Sequence, residues 1–297
     1  MEIKRIGVVG AGTMGLGIAQ VCAQSGFEVI LNDIEMEPVG KAIARITKLL
    51  GKDVDKGKIT ADVKDAVLGR LQKSDKTEDL ADCDVVIEAI AENMDIKKGF
   101  YKKLDSICKA EAIFASNTSS LSVSELASAT SRPSQFIGMH FFNPVQIMKL
   151  IEVVTPMQLS PETLEIIMDL GCKLGKEPVP VKDSPGFVVN RVLTMGSNEV
   201  PFMLHEGVAT PDAIDKCMKL GANWRMGPCE LNDMVGIDVS IAIRETLYAE
   251  FKDTKYRPSP FQYQMIRAGF LGRKTGKGWY EYDENGNMVG INRSVFK

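Results

Sequence analysis

Two residues set the first question. His140 and Glu152 lie twelve positions apart in "GMHFFNPVQIMKLIEVV", Gly138–Val154, and each interrupts an apolar run built for a dry interior. A base beside a carboxylate can do acid–base chemistry: the acid fixes one imidazole nitrogen, leaves the other free to take a proton, and stabilises the imidazolium that results. A well-placed general base contributes about 10²–10⁴ in rate. The spacing is equally compatible with a buried histidine satisfied by a structural acid. For either reading the two must meet, and the connection decides this. Only seven residues, "NPVQIMK", separate Phe142 from Leu150, whereas a parallel crossover needs about a dozen or more. The strand around Ile151–Val154 is therefore expected to run antiparallel to the one that carries His140.

The second constellation is at the start of the chain. In "IKRIGVVGAGTMGLGIAQVCAQSGFEVILND" an apolar run, Ile6–Val9, leads into Gly10, Gly12 and Gly15, and apolar residues then recur at helical spacing over Met14–Ala23. Gly26 ends that helix, and a second strand from Glu28 leads to Asp33. A glycine triplet alone is a weak sign; between a strand and a helix it is the dinucleotide fingerprint. Gly10 permits the turn, Gly12 lets backbone approach a pyrophosphate, and Gly15 lets helix and strand pack closely. Thr13 and Met14 lie inside the same turn, where unpaired helix N–H groups attract phosphate. Asp33 is placed to accept from an adenosine ribose and to repel a 2'-phosphate, which favours NAD over NADP.

The elements that must position these groups follow a pattern. "DVVIEAI", "AIFASNTS" and "QFIGMHFF" read as buried strands separated by helical stretches, including 95–109 and 123–129. Alternating strand and helix predicts a parallel sheet covered on both faces, with ligands beyond the carboxyl ends of the strands. The segment 38–73 is too long for a crossover and reads as a helical pair, with Lys48, Lys52, Lys56 and Lys58 near its tip. Pro178, Pro180, Pro185 and Gly186 mark a linker, with Ser184 a candidate cap for the following helix. From Phe187 onward only amphipathic helices are expected, with apolar faces to spare for dimerisation. The expected architecture is an α/β, Rossmann-type doubly wound sheet over 1–184, with a helical-pair insertion, followed by an all-α domain over 185–297. His205, with no acid or motif around it, reads as structural.

Bulk properties exclude other classes. The chain has 297 residues and a formal net charge of −3 with both signs mixed, which argues against a nucleic-acid partner. No apolar run reaches the roughly 18 residues of a membrane helix. The first apolar run begins at Ile3, leaving no room for a targeting segment. Six widely spaced cysteines and two histidines argue against a metal cluster and for reduced thiols in the cytoplasm.

Taken together, "GAGTMGLGIAQ", "VIEAIAENMDIKK", "FASNTSSLSV", "GMHFFNPV" with "MKLIEVV", "DSPGFVVNR", "CMKLGANWRMGPCEL" and "GRKTGKGWYEY" resemble the L-3-hydroxyacyl-CoA dehydrogenase family over essentially the whole chain. The resemblance is strongest to its short bacterial members that act on 3-hydroxybutyryl-CoA. It implies NAD-dependent, reversible oxidation of an L-3-hydroxyacyl-CoA to the 3-ketoacyl-CoA. It implies that His140 is the base, Glu152 its partner, and Ser119 and Asn190 the substrate contacts. Glu92, Lys97, Asn117, Ser119, Asn143 and Lys274 match positions near the nicotinamide end of the cofactor. Lys52 and Lys56 fall where the family binds the adenosine phosphate part of coenzyme A. The family forms dimers through its helical domain. The chain departs from the pattern at Trp224–Arg225, where the family has a histidine–proline or similar pair. It departs again at Val200–Pro201, where the family has an alanine after the asparagine–glutamate. Pro201 is expected to kink its helix, and both changes bear on acyl-chain preference. Two rival readings are a dehydrogenase of the same scaffold acting on a free hydroxy or sugar acid, and a non-enzymatic NAD-binding protein.

Overall fold

The computed structural model describes residues 1–296, which divide into two compact units, Met1–Phe187 and Val188 onward. The first unit opens with β1 (Arg5–Val9), α1 (Thr13–Gln24) and β2 (Glu28–Asn32), followed by the helical pair α2 (Met36–Asp55) and α3 (Ala61–Gly69). Then come β3 (Leu71–Ser74), β4 (Val85–Glu88), α4 (Met94–Ile107), β5 (Ile113–Ser116), α5 (Val123–Ala127), β6 (Phe136–Phe141), β7 (Leu150–Thr155), α6 (Pro161–Lys173) and β8 (Glu177–Lys182). These strands form one eight-stranded sheet in the order β3-β2-β1-β4-β5-β6-β7-β8. All neighbours are parallel except β6 and β7. Strand order reverses direction between β1 and β4, which is where such sheets bind dinucleotides.

Apolar side chains of the central strands are buried on both faces, against α1, α2 and α6 on one side and α4 and α5 on the other. A strand covered on both sides is not held in register by alternation alone. At the β6–β7 reversal a glycine does the work. Gly138 faces Val154 in the ladder, and a Cβ on Gly138 would lie 2.6 Å from Val154 Cβ. Seven apolar side chains of this hairpin, Phe136, Ile137, Met139, Phe141, Ile151, Val153 and Val154, are essentially inaccessible, and their burial contributes ~10–20 kcal/mol. That is enough to carry one polar pair, His140 and Glu152, into the interior.

The turn between β6 and β7 is held at three points. Val145 packs on α1, where a Cβ on Gly17 would lie 2.8 Å from it. Gln146 Nε2 donates to Gln20 Oε1 at 2.8 Å. Lys176 Nζ donates to the carbonyls of Val145 and Met148. Burial lowers the affinity of Lys176 for its proton.

Two expectations need correction in this unit. The proline-rich stretch read as a linker contains β8, an edge strand parallel to β7. Glu177 and Asp183 donate their N–H groups to β7-side carbonyls, so by alternation the missing N–H groups of Pro178 and Pro180 fall on the outer edge, where no ladder bond is lost. β3 also overlaps the end of the stretch 38–73, whose helical pair is present as α2 and α3. Its pattern is mostly polar and exposed, as an edge strand permits.

The second unit contains α7 (Val189–Glu206), α8 (Pro211–Gly221), α9 (Pro228–Val235), α10 (Ile237–Phe251) and α11 (Pro260–Arg267). Its core gathers Val200, Leu204, Ile214, Ile237, Met265 and Trp279. A short antiparallel hairpin, β9 (Tyr280–Tyr282) with β10 (Met288–Ile291), is added to this helical domain and was not anticipated. Its strands are three and four residues long, too short for a period-2 pattern to stand out. Ser184 does not cap α7, which begins at Val189 after a turn containing Gly186 (φ 73°) and Phe187 (φ 48°). α7 continues through Pro201, which is buried. His205 closes its last turn, with its ring 5.5 Å from that of Phe261.

Candidate active site

The carboxyl ends of β1, β4, β5 and β6 converge on one edge of the sheet. At β1, Gly10 takes φ 98°, and a Cβ there would lie 2.5 Å from the Ala89 carbonyl oxygen. A Cβ on Gly15 would lie 1.7 Å from the Gly10 oxygen, whereas one on Gly12 would meet nothing within 4 Å. Two glycines thus close the turn and the third leaves open space. No side chain caps α1 at Gly12, so the first-turn N–H groups, including those of Thr13 and Met14, are available to an anion. Asp33, just past β2, accepts the N–H of Ala11 at 2.6 Å and that of Ile34 at 2.8 Å. Those donors orient a carboxylate that keeps further lone pairs for a ribose hydroxyl. Backbone, glycine cradle and acid fit NAD.

Beside this turn lies a cleft of about 340 Å³ lined by Met14, Glu92, Asn117, Ser119, His140 and Asn143, with Ala89, Ile90, Phe141 and Phe142. His140 and Glu152 are register partners on β6 and β7. Their Nδ1 and Oε2 atoms are 2.7 Å apart, with His140 6% and Glu152 1% exposed. The tight reversal turns a sequence gap of twelve into a hydrogen bond. Phe142 and Phe187 flank the imidazole at ring-centroid distances of 4.5 and 5.5 Å. Asn117 follows β5, and its Oδ1 accepts the Phe141 N–H at 2.9 Å, tying β5 to the residue after His140.

Glu92 organises the serine loop after β5. It accepts from Thr118 Oγ1 at 2.7 Å, from the Ser119 and Ser120 N–H groups at 2.8 and 3.1 Å, and from Ser119 Oγ at 3.2 Å. Partial burial pushes this carboxyl up, but the Lys97 charge and the bonds from Thr118 and Ser119 outweigh it and hold it below its usual range. Lys97 lies beneath the cleft. It is 1% exposed, paired with Glu88, and 3.4 Å from Glu92.

Glu88 is a buried acid that the sequence reading passed over. Besides Lys97 it accepts from Ser116 Oγ at 2.8 Å and the Ile90 N–H at 2.8 Å, and it lies 3.3 Å from the Tyr101 hydroxyl. Burial, then the Glu88 charge, keep the Tyr101 hydroxyl protonated far above its usual range. The signal was present: an acid inside "DVVIEAI", the same anomaly that singled out Glu152. Lys176 lies in no quoted motif and nothing in its spacing marks it; Phe187 lies inside "DSPGFVVNR", but that motif does not reveal its place beside the imidazole.

Other expected residues lie elsewhere. Lys52 and Lys56 line a second cleft of about 530 Å³ in the first unit, with Arg45, Lys58, Gln20 and Asn143. Lys48 is not among the residues lining it. Asn190 is the second residue of α7 and lines a cavity of the second unit. Lys274 also belongs to the second unit, where its Nζ is 2.7 Å from Asp238. Trp224 lines an apolar cavity of that unit with Gly196 and Glu199.

Residues 5–184 match the profile of the 3-hydroxyacyl-CoA dehydrogenase NAD-binding domain, and residues 186–282 that of the C-terminal domain. The chain belongs to the 3-hydroxyacyl-CoA dehydrogenase family. It is an NAD-dependent oxidoreductase, which removes the non-enzymatic alternative. The dehydrogenase is 50% identical to a probable 3-hydroxybutyryl-CoA dehydrogenase of Deinococcus radiodurans, over 94% of this chain and all of that one. It is 46% identical to the 3-hydroxybutyryl-CoA dehydrogenase of Clostridioides difficile, again over 94% of this chain and all of its relative. The crystal structure of (S)-3-hydroxybutyryl-CoA dehydrogenase from Ralstonia eutropha superposes with a TM-score of 0.93 at 47% identity, covering 95% of this chain and all of that one. Among the described residues no helix of the dehydrogenase is long and apolar enough to cross a membrane.

Proposed function

We propose that the enzyme reversibly oxidises L-3-hydroxyacyl-CoA, 3-hydroxybutyryl-CoA foremost, to the 3-ketoacyl-CoA. The 2.7 Å contact between His140 Nδ1 and Glu152 Oε2 carries the reading. The Gly10–Gly15 turn and Asp33 would hold NAD, which would supply the hydride acceptor for C3 of the alcohol. With Nδ1–H donating to Glu152, the Nε2 atom of His140 takes the hydroxyl proton, and Glu152 stabilises the imidazolium. Phe142 and Phe187 shield the imidazole from water, which strengthens that electrostatic pairing. Ser119, oriented by Glu92, and Asn190 position the substrate oxygens. In the reverse direction the same imidazolium returns its proton to the ketone oxygen.

Arg45, Lys52, Lys56 and Lys58, which line the second cleft, support recognition of the phosphates of coenzyme A. We also propose a cytoplasmic homodimer paired through the helical unit, on the strength of exposed Val192, Leu193 and Met195 along α7. Light scattering at micromolar concentration tests this; a monomer refutes it.

The decisive assay is steady-state turnover of acetoacetyl-CoA and longer 3-ketoacyl-CoA homologues with NADH and NADPH compared. The expected result is turnover of acetoacetyl-CoA with NADH, abolished by His140→Gln. Activity on a free hydroxy acid with none on any acyl-CoA overturns the reading, as does a His140→Gln variant with wild-type turnover.

A further inference from the structure

Arg244 is the one arginine of α10, and it is 2% exposed. Its guanidinium carries five donors and tolerates burial only when they and its charge are answered. Nη1 donates to Gln262 Oε1 at 2.9 Å, and Nη2 approaches the Ser197 carbonyl and hydroxyl oxygens at 3.1 and 3.2 Å. All three acceptors are neutral. The Nε–H is buried and has no acceptor among the described residues. Among the described residues no carboxylate is paired with Arg244. Burial lowers its pKa to about 10, with no acid opposing the effect, so it is cationic at neutral pH. By contrast, the other buried cation of a helix, Lys97, lies between two acids.

Arg244 also borders empty space. It lines a cavity of about 110 Å³ within the second unit, together with Asn190, Thr194, Leu231, Asn232 and Ile243. The volume suits a carboxylate with a few methylenes. Apolar side chains (Leu231, Ile243) provide walls for the methylenes, and neutral polar groups (Thr194, Asn232) accompany the charge. A guanidinium whose charge is paired with no carboxylate among the described residues is the group that carboxylate geometry matches best.

We infer that this cavity is a carboxylate-binding site in which Arg244 receives the terminal carboxylate of a short apolar chain. The carboxylate comes either from the far end of an acyl-CoA substrate or from a free dicarboxylate. The first source rests on the proposed role of Asn190 at the substrate; the second does not.

Three measurements test this. Wild-type kcat/KM is compared for 3-ketohexanoyl-CoA and for the six-carbon 3-ketoacyl-CoA ending in a carboxylate. The same pair is run with Arg244→Met, which keeps the length and removes the charge, and with Arg244→Lys, which keeps the charge. Saturable stabilisation of the wild type against heat by free adipate is measured alongside. If the acyl chain is the source, Arg244→Met loses about 10- to 100-fold on the carboxylated substrate, about threefold or less on the uncharged one, and Arg244→Lys recovers part of the loss. If the source is free, adipate stabilises the wild type and not Arg244→Met, and the two acyl-CoA substrates respond alike. If wild type neither accepts the carboxylated chain within tenfold of the uncharged one nor is stabilised by adipate, the inference is overturned. This wild-type result does not depend on either variant folding. Failure of the dehydrogenase reading appears separately, as no turnover of acetoacetyl-CoA.

Discussion

Glu152→Gln tests the mechanism with the least structural disturbance. The amide is isosteric with the carboxylate and stays on β7, so the backbone ladder and the apolar burial of β6 and β7 are kept. Two things change at His140. The negative charge 2.7 Å from Nδ1 is lost, and an amide NH2 can donate to Nδ1, which selects the tautomer with its proton on Nε2, the wrong nitrogen for a base. An imidazolium and a carboxylate whose charge centres are ~4 Å apart attract by ~4 kcal/mol at an effective dielectric constant of ~20. The net value of a hydrogen bond to a charged group is smaller, about 1.5–3 kcal/mol. The tautomer penalty adds to it, so a fall in kcat of ~10²–10³ is expected, about 3–4 kcal/mol at 1.36 kcal/mol per decade. The assay is reduction of acetoacetyl-CoA by NADH, with kcat and both KM values measured and a thermal melt beside them. KM for NADH should move by about threefold or less, because Glu152 does not line the cleft. A kcat within threefold of wild type, from a protein with unchanged melting, refutes the base-and-orienter argument and leaves His140 as a structural residue.

Other expectations follow from the same structure. Lys97→Met leaves Glu88 charged and buried without its cation, which should cost ~3–5 kcal/mol; adding Glu88→Gln should recover most of the loss in denaturant titrations, and no recovery means the pair is not the cause. Asp33→Ser should raise KM for NADH by about tenfold or more and narrow the preference over NADPH; an unchanged cofactor ratio rules out the ribose contact. Asp233 is buried, and burial outweighs N–H donation from Trp279 and Tyr280 to raise its carboxyl to about 6 from 3.8. The folded state therefore holds this proton more tightly than the unfolded chain does. Ionisation weakens the fold as pH rises from about 4 to about 6, by ~3 kcal/mol, with the full cost above that window and none below it. Melting temperatures of wild type and Asp233→Asn should diverge across that window and run parallel outside it. A constant difference at all pH values removes Asp233 as the titrating group.

Local patterns made the nucleotide-binding turn legible. Gly10, Gly12, Gly15 and Asp33 lie within two dozen residues, and the physics they report is local: a tight turn, an uncapped helix and the end of a strand. The antiparallel return of β7 was also within reach, because seven residues cannot make a parallel crossover. Edge strands were harder. β8 carries two prolines that read as a linker until the sheet shows that their missing N–H groups face outward. The β9–β10 hairpin is too short to announce itself among helices. Glu88 could have been found by the same test that singled out Glu152, an acid set into an apolar strand.

By itself the sequence determined the fold class, the cofactor turn and the residue types available for catalysis, because each depends on neighbours along the chain. Tertiary structure decided which polar residues share an environment. It brought Glu88 and Lys97 together beneath the cleft, set Glu92 against the serine loop, clamped the β6–β7 turn with Lys176, and left Arg244 in the interior with no acid paired to it among the described residues. Those outcomes depend on burial and on contacts between distant segments. Hydrogen bonding and charge compensation act through space, and a one-dimensional pattern does not record distances in space.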